Sequence, residues 1–496
     1  MSHPIRPEKV IEMNNFYTLT VYEKGSEVIR MMHTILGESA FQKGVKLYFE
    51  RHDGTASTCD DFVQAMEDAS GIDLTQFRLW YSQSGTPVLT VSSTYDAVTK
   101  QLALHVAQHT PATADQQDKQ PLYIPLDIEM YRQDGSVIEL QRHGEPVSNV
   151  LAVTKTEQTY LFDRVDEQPV LSLLREFSAP VKLEYDYQDD ELAFLLQHAR
   201  NDFARWDAGQ SLLAKHIKAN VARVQDDQPI EVPLSVVDAF RGALLSDNTD
   251  PALIAEVLNL PSETEVAGWF ETVDVDAIHQ VMAALKQQFA DHMLDEFAAV
   301  YRQYAQTDYQ ITHKAIGERA LRNACLSYLA HTENGNGYVE QHYQDAHNMT
   351  DTMAALNAAN GAQLPCREPL MKDFSDKWQH DGLVMDKWFM LQGANPADNA
   401  LEQVKAQMSH QAFTLKNPNR IRSLIGAFCN RNPARFHAKD GAGYRFLKEI
   451  LVTLNQSNPQ VASRLIDPLL KLAYYDQARQ QQMRNVLQEL ADMDNL

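Results

Sequence analysis

The stretch Glu12-Met13-Asn14-Asn15-Phe16-Tyr17-Thr18-Leu19-Thr20-Val21-Tyr22-Glu23-Lys24-Gly25 governs how this chain is read. Tyr22-Glu23-Lys24-Gly25 opens an amphipathic helix whose apolar positions are Val28, Ile29, Met32, Ile35 and Leu36, with Gly37 as its C-terminal stop. Gly25 is expected to let the backbone turn tightly at the entrance. A tyrosine in this place is held by a rigid element while its phenol stays free to point into a cleft. A neutral phenol donates a hydrogen bond well to a carbonyl oxygen that is gaining negative charge. The competing reading is packing, a half-buried ring pinning a loop to its helix.

Outward from this stretch, residues 1–87 read as helical. Phe41, Val45, Tyr48 and Phe49 line one face of a second helix that ends near His52-Asp53-Gly54. Thr58 with Asp61 three residues on has the form of a capping box, followed by Phe62, Met66 and Ala69 at helical spacing and closed by Gly71. Leu74, Phe77 and Trp80 begin another helix, which Ser84-Gly85-Thr86-Pro87 breaks. The apolar faces of these helices have few partners of their own, which predicts exposed hydrophobic surface.

Residues 88–187 change to a period of two. Leu102, Leu104 and Val106 alternate, as do Leu122, Ile124, Leu126, Ile128 and Met130, and Gln133-Asp134-Gly135-Ser136 is a hairpin turn signal. A β-sandwich is expected, with an edge strand around Pro121 and Pro125. Residues 188–496 return to helical period and carry recurrent prolines and glycines, the pattern of a superhelix of stacked pairs. No fixed-period repeat is legible, which argues against a named repeat array.

Size and composition agree with several domains. The chain has 496 residues, beyond the size of one growing core, with 44% apolar and 22% charged residues, ordinary for a globular protein. A net charge of −23 and no basic stripe exclude nucleic-acid binding. Cys59, Cys325, Cys366 and Cys429 lie far apart, which fits a reducing compartment. Without a signal pattern or an apolar run of 18 residues, the expected location is the cytoplasm and no transmembrane segment is expected.

None of the 17 histidines belongs to a His-Glu-x-x-His motif. His105 and His109 fall on a strand and its turn, and His342 and His347 are five apart on a helix, so neither pair forms one face. No Gly-x-Ser-x-Gly or phosphate-loop pattern occurs.

The run Asn14-Asn15-Phe16-Tyr17, then Val21-Tyr22-Glu23-Lys24-Gly25 and Val28-Ile29-Arg30-Met31, resembles the end of the catalytic domain of the bacterial aminopeptidase N family, gluzincin zinc metallopeptidases. Tyr48-Phe49-Glu50-Arg51-His52-Asp53-Gly54, Trp80-Tyr81-Ser82-Gln83-Ser84-Gly85-Thr86-Pro87 and Asn417-Pro418-Asn419-Arg420-Ile421-Arg422-Ser423 extend the resemblance over essentially the whole chain. It implies a multidomain, mainly α-helical plan. Residues 1–87 are the helical end of a thermolysin-like catalytic domain, 88–187 an Ig-like β-sandwich, and 188–496 a large helical domain.

The resemblance implies that Tyr22 stabilises the oxyanion of the tetrahedral intermediate and that Asn14 and Tyr17 line the pocket for the first side chain. It also implies that Arg422 and Arg464 face the cavity and hold the peptide's C-terminal side. Arginine suits that task because its charged fork binds carboxylates and carbonyls. The family's cofactor is zinc, yet its ligands and its Gly-x-Met-Glu-Asn segment do not occur here; metal ligands: none. Two readings follow. The chain is part of a zinc exopeptidase acting on peptide N-termini, with alanine-like and basic residues preferred by the family, inactive alone and partnered by a missing N-terminal catalytic part. Alternatively it is a non-catalytic scaffold that binds peptides or a partner.

Overall fold

The computed structural model describes residues 3–13, 16–246, 249–305 and 308–493. By compactness the chain parts into two units, Met1–Ala208 and Gly209–Leu496.

In the first unit, helices Gly25–Leu36, Glu38–His52 and Cys59–Ser70 precede the strands. The capping box forms: Thr58 Oγ1 accepts from the Asp61 amide at 3.3 Å, and the Asp61 carboxylate accepts from the Thr58 amide at 2.8 Å. Gly71 ends that helix in the left-handed region, φ +73°. Leu74, Phe77 and Trp80 are all fully buried. They are tied to the sandwich by hydrogen bonds: Trp80 Nε1 donates to the Tyr123 carbonyl at 2.8 Å, and Gln76 Nε2 to the carbonyls of Pro121 and Thr154 at 2.8 and 2.7 Å.

One apolar core therefore joins Val28, Met32, Met66 and Trp80 to Leu104, Ile124 and Phe162 of the strands. The helices expected to lack partners find them in the sandwich. Exposed apolar side chains gather instead on residues 10–22, where Ile11, Leu19 and Met13 stand out in solvent. Phe49, read as part of an apolar helix face, is exposed as well.

The sandwich pairs Lys182–Glu184, Val88–Asp96, Gln101–His109 and Glu157–Phe162 in that order; the Lys182–Glu184 pairing is parallel and the others antiparallel. In the facing layer Ile124–Tyr131 is central, not an edge, with Val150–Val153, Val137–Ile138 and Val170–Leu173 around it. Pro125 is accommodated because residues 124–127 pair with Val150–Val153 alone, whereas the second neighbour begins at Ile128. The turn at Asp134-Gly135 closes as read, with Gly135 at φ +84°.

The second unit is helical from Leu234–Leu244 to Gln477–Ala491. Helices stack on near neighbours in the sequence: Pro251–Leu258 and Leu294–Gln303 on His313–Leu329, Gly335–Asp345 on Met349–Gly361, Ala442–Ser457 on Pro459–Leu465. Their starts are capped by side chains such as Asp274, Thr312, Asn348 and Asp381, each accepting from a first-turn amide. No helix among the described residues is long and apolar enough to cross a membrane.

One core position carries a titration. Lys286 Nζ donates to Ser327 Oγ at 2.8 Å and lies 3.3 Å from the Tyr328 ring centroid, and burial pushes the ammonium down to about 7. Between pH 7 and the unfolded value of 10.5 the folded chain binds fewer protons than the unfolded chain. Stability contributed through this group therefore rises with pH, by about 1 kcal/mol per pH unit. Urea unfolding at pH 7.5 and 9 is expected to show that slope, and Lys286→Met to flatten it. An unchanged slope in the variant would refute the assignment.

Candidate functional site

Tyr22 lies on a π-helical turn, Thr20–Lys24, that runs without a break into the helix Gly25–Leu36. Gly25 is itself helical, φ −61° and ψ −44°, which corrects the expected tight turn. The chain changes direction before the π-turn rather than after it. Thr18 anchors the entry: its Oγ1 accepts from the Val21 amide at 3.3 Å, and its carbonyl accepts from the Tyr22 amide at 3.1 Å. His3 braces Thr18 from the other side. Its Nδ1 lies 2.7 Å from the Pro4 carbonyl and must donate to it. Its Nε2 lies 2.9 Å from the Thr18 hydroxyl.

This scaffold holds Tyr22 59% exposed, beside a cleft of about 770 Å³ lined by His3, Lys9, Ile11, Tyr17 and Tyr22 among others. Tyr17 lies 6.2 Å from Tyr22 between ring centroids, tilted by 33°. Neither core packing for Tyr17 nor half-burial for Tyr22 describes them. The Tyr22 hydroxyl has no hydrogen-bond partner among the described residues and can serve an incoming oxygen. Asn14 lies outside the described residues.

Two residues on, Lys24 faces inward. Its Nζ donates to the Gly85 carbonyl at 2.8 Å and lies 5.5 Å from the Trp80 ring. Burial, with Lys119 adding like charge, pushes it down to about 8. Lys24 thus roots the π-turn in the buried Trp80 region while Tyr22, on the other face, stays free.

In the helical unit, Asn417 caps a short helix by accepting from the Asn419 amide at 3.0 Å, with Pro418 in its first turn. The helix passes into a second π-turn, Arg422–Gly426. Arg420 turns inward, its Nη2 donating to the Gly382 carbonyl at 3.1 Å over the Phe389 ring. Arg422 turns outward into a pocket of about 400 Å³ that also holds Arg464 and Arg431. Nη1 of Arg422 donates to Asn419 Oδ1 at 3.3 Å. Neither Arg422 nor Arg464 has a carboxylate partner among the described residues, so neither is the helix-face ion pair that most helical arginines form.

The structure thus brings Tyr17 to Tyr22 and Arg422 to Arg464. Arg431 and Lys24 were not singled out from the sequence. Nor were the π-turns, the only two among the described residues, which carry Tyr22 and Arg422. Such turns concentrate at functional sites.

Three family models match the chain: the peptidase family M1 domain over residues 1–81, a domain of unknown function with an Ig-like fold over 85–186, and a domain of unknown function described as ARM repeats over 189–496. Aminopeptidase N of Escherichia coli (strain K12) is 58% identical across 100% of this chain, and that of Haemophilus influenzae 50% identical across 100%. The chain belongs to the aminopeptidase N family.

It spans 57% of the length of each of these two relatives. A solved structure, Legionella pneumophila aminopeptidase A in complex with aspartic acid, matches with a TM-score of 0.85 at 26% identity, over 98% of this chain and 56% of that one. The ARM-repeat match corrects the expectation that 188–496 is not a named array. Family M1 membership implies zinc, but the described residues include no group of three or more His, Cys, Asp or Glu that could hold a metal ion. The side chains of the described residues do not fit a zinc centre.

Proposed function

We propose that this chain is the substrate-facing portion of an aminopeptidase N-type exopeptidase that removes residues from peptide N-termini. The observation that carries this reading is the Tyr22 hydroxyl, unpartnered among the described residues at an open cleft and held by a turn rooted through Lys24. As the scissile carbonyl carbon becomes tetrahedral, Tyr22 donates to its oxygen and lowers the cost of the charge gathered there. Tyr17 flanks the first side chain of the peptide, with Asn14 assigned to the same pocket. Arg422 and Arg464 neutralise the peptide's C-terminal side, each without an acidic partner among the described residues. The reading retains the division into a catalytic-domain end at 1–87, a sandwich at 88–187 and a helical domain at 188–496, in the cytoplasm.

On its own the chain is expected to hydrolyse nothing at a family-like rate. The exposed apolar run around Ile11 and Leu19 supports a partner surface for a zinc-bearing catalytic part. The test is metal analysis of the purified chain together with an alanyl chromogenic assay. Background turnover and substoichiometric zinc are expected; stoichiometric zinc with robust turnover would sink the reading. Recovery of a separate polypeptide carrying His-Glu-x-x-His in a pull-down would support a split enzyme over a non-catalytic scaffold.

A further inference from the structure

The helical unit holds a second cavity, of about 320 Å³, that the peptidase reading does not use. It shares Asn430 with the pocket of Arg422 and Arg464 but neither arginine. Its walls are mainly apolar: Ala267, Phe270, Val273, Ile278, Pro433 and Pro468 come from separate stretches of the chain. A lone parallel bridge between Val273 and Tyr475 ties two of those stretches together, with the Val273 amide donating to the Tyr474 carbonyl at 2.7 Å. Size and lining are those of a small-molecule site, an apolar body with few placed polar groups.

Of the polar lining, Glu263 is engaged by His279 and the Thr264 hydroxyl donates to the Asn430 carbonyl at 2.9 Å, which leaves His437 and Lys471. His437 is 3% exposed and lines the cavity, its ring stacked on Tyr475 at 4.3 Å between centroids. Its Nδ1 is 2.9 Å from the Tyr444 hydroxyl, and its Nε2 has no partner among the described residues. Burial, then Arg479 and Lys471, push this imidazole down to about 3, so the ring is neutral. When Tyr444 donates to Nδ1, the proton sits on Nε2.

Lys471 stands at the rim, exposed and without a carboxylate partner among the described residues. The other charges nearby are compensated. Glu263 is 2.7 Å from His279, which it favours in the charged form, and Arg479 is held by Asp276 and Asp476 at 3.0 and 2.8 Å. The cavity thus combines apolar walls, a stacking surface, a buried N–H donor and one uncompensated cation.

We propose that the cavity bounded by Phe270, His437, Lys471 and Tyr475 binds a small aromatic carboxylate. The ring lies among the apolar walls against Tyr475, and the carboxylate accepts from His437 Nε2 and pairs with Lys471. The anion is favoured over a neutral isostere, which gains nothing from Lys471.

Isothermal titration of the whole chain with 2-naphthoate and with 2-naphthamide tests this. Saturable 1:1 binding of naphthoate is expected, at least tenfold tighter than that of the amide. Lys471→Gln should weaken naphthoate to the level of the amide and leave the amide unchanged. Ala267→Phe should fill the cavity and abolish both, with the circular dichroism of the wild-type chain. If Ala267→Phe does not fold, Lys471→Gln still decides, since its side chain is exposed. Absence of saturable naphthoate binding, equal affinity for acid and amide, or indifference to Lys471→Gln would each overturn the proposal.

Discussion

Tyr22→Phe is expected to lower kcat about 100- to 1000-fold with little change in KM, the loss of one oxyanion donor worth about 2.7–4 kcal/mol. The setting for this measurement is a hybrid that joins this chain to the part of the Escherichia coli relative it does not match. The split between kcat and KM follows from where the hydroxyl acts. It has no partner among the described residues, so its removal neither breaks an internal hydrogen bond nor disturbs the fold. The Phe ring keeps the contact with Tyr17, 6.2 Å between centroids, so ground-state binding of the first side chain is retained. Only charge that develops on the carbonyl oxygen feels the loss. A change in kcat below threefold would return Tyr22 to a packing role.

Trp80→Ala is expected to destabilise the first unit by about 4 kcal/mol, measured as a lower urea midpoint at an unchanged m-value. Three losses coincide. A fully buried indole leaves a cavity where helices and strands share one core. The Tyr123 carbonyl loses its donor at 2.8 Å, and Lys24 loses the ring it lies 5.5 Å from. Trp80→Phe separates the terms: it keeps most of the volume and should cost about 1–2 kcal/mol for the orphaned carbonyl. The Lys24 contact also links this residue to the π-turn. A Trp80→Ala hybrid that remains folded should therefore lose order at Tyr22 as well, whereas a cost below 1 kcal/mol would mean that the core does not depend on this anchor.

The periodic features of the chain were legible before the fold was known. Thr58 and Asp61 announced their capping box, Gly71 its left-handed stop, and Leu74, Phe77 and Trp80 their buried face, because each follows from local hydrogen bonding or from a regular repeat of apolar residues. What local rules could not supply was the identity of the opposing surface. Phe49 occupies a helical-period position yet faces solvent, and Pro125 sits in a central strand because the half of the strand around it has one neighbour. Tyr22 was weighed against a packing role until the resemblance decided it, and Arg422 was reached by resemblance alone. Arg422 stays in the right-handed helical region, and the glycines beside the turns, Gly25 and Gly426, are helical too, so nothing in the sequence separates these turns from regular helix. The unpaired state of Arg422 and Arg464 is equally invisible there, since a missing carboxylate is a property of three-dimensional surroundings. The cavity beside His437 is assembled from stretches about 200 residues apart, such as Val273 and Tyr475, and nothing in either stretch alone points to it.

The two π-turns carry a consequence for how this chain tolerates change. A π-turn is a helix holding one residue more than the regular ladder needs. Loss of a single codon within Thr20–Lys24 or Arg422–Gly426 would restore an ordinary helix with better-aligned hydrogen bonds. It would also swing every residue upstream of the deletion by about 100° about the axis. At the first turn this swings exposed Tyr17 about the axis of Gly25–Leu36; at the second it twists fully buried Ile421 out of its core. Exposed positions there can accept substitution, but the count of residues cannot change. The extra residue is kept as geometry, at a standing cost in helix regularity.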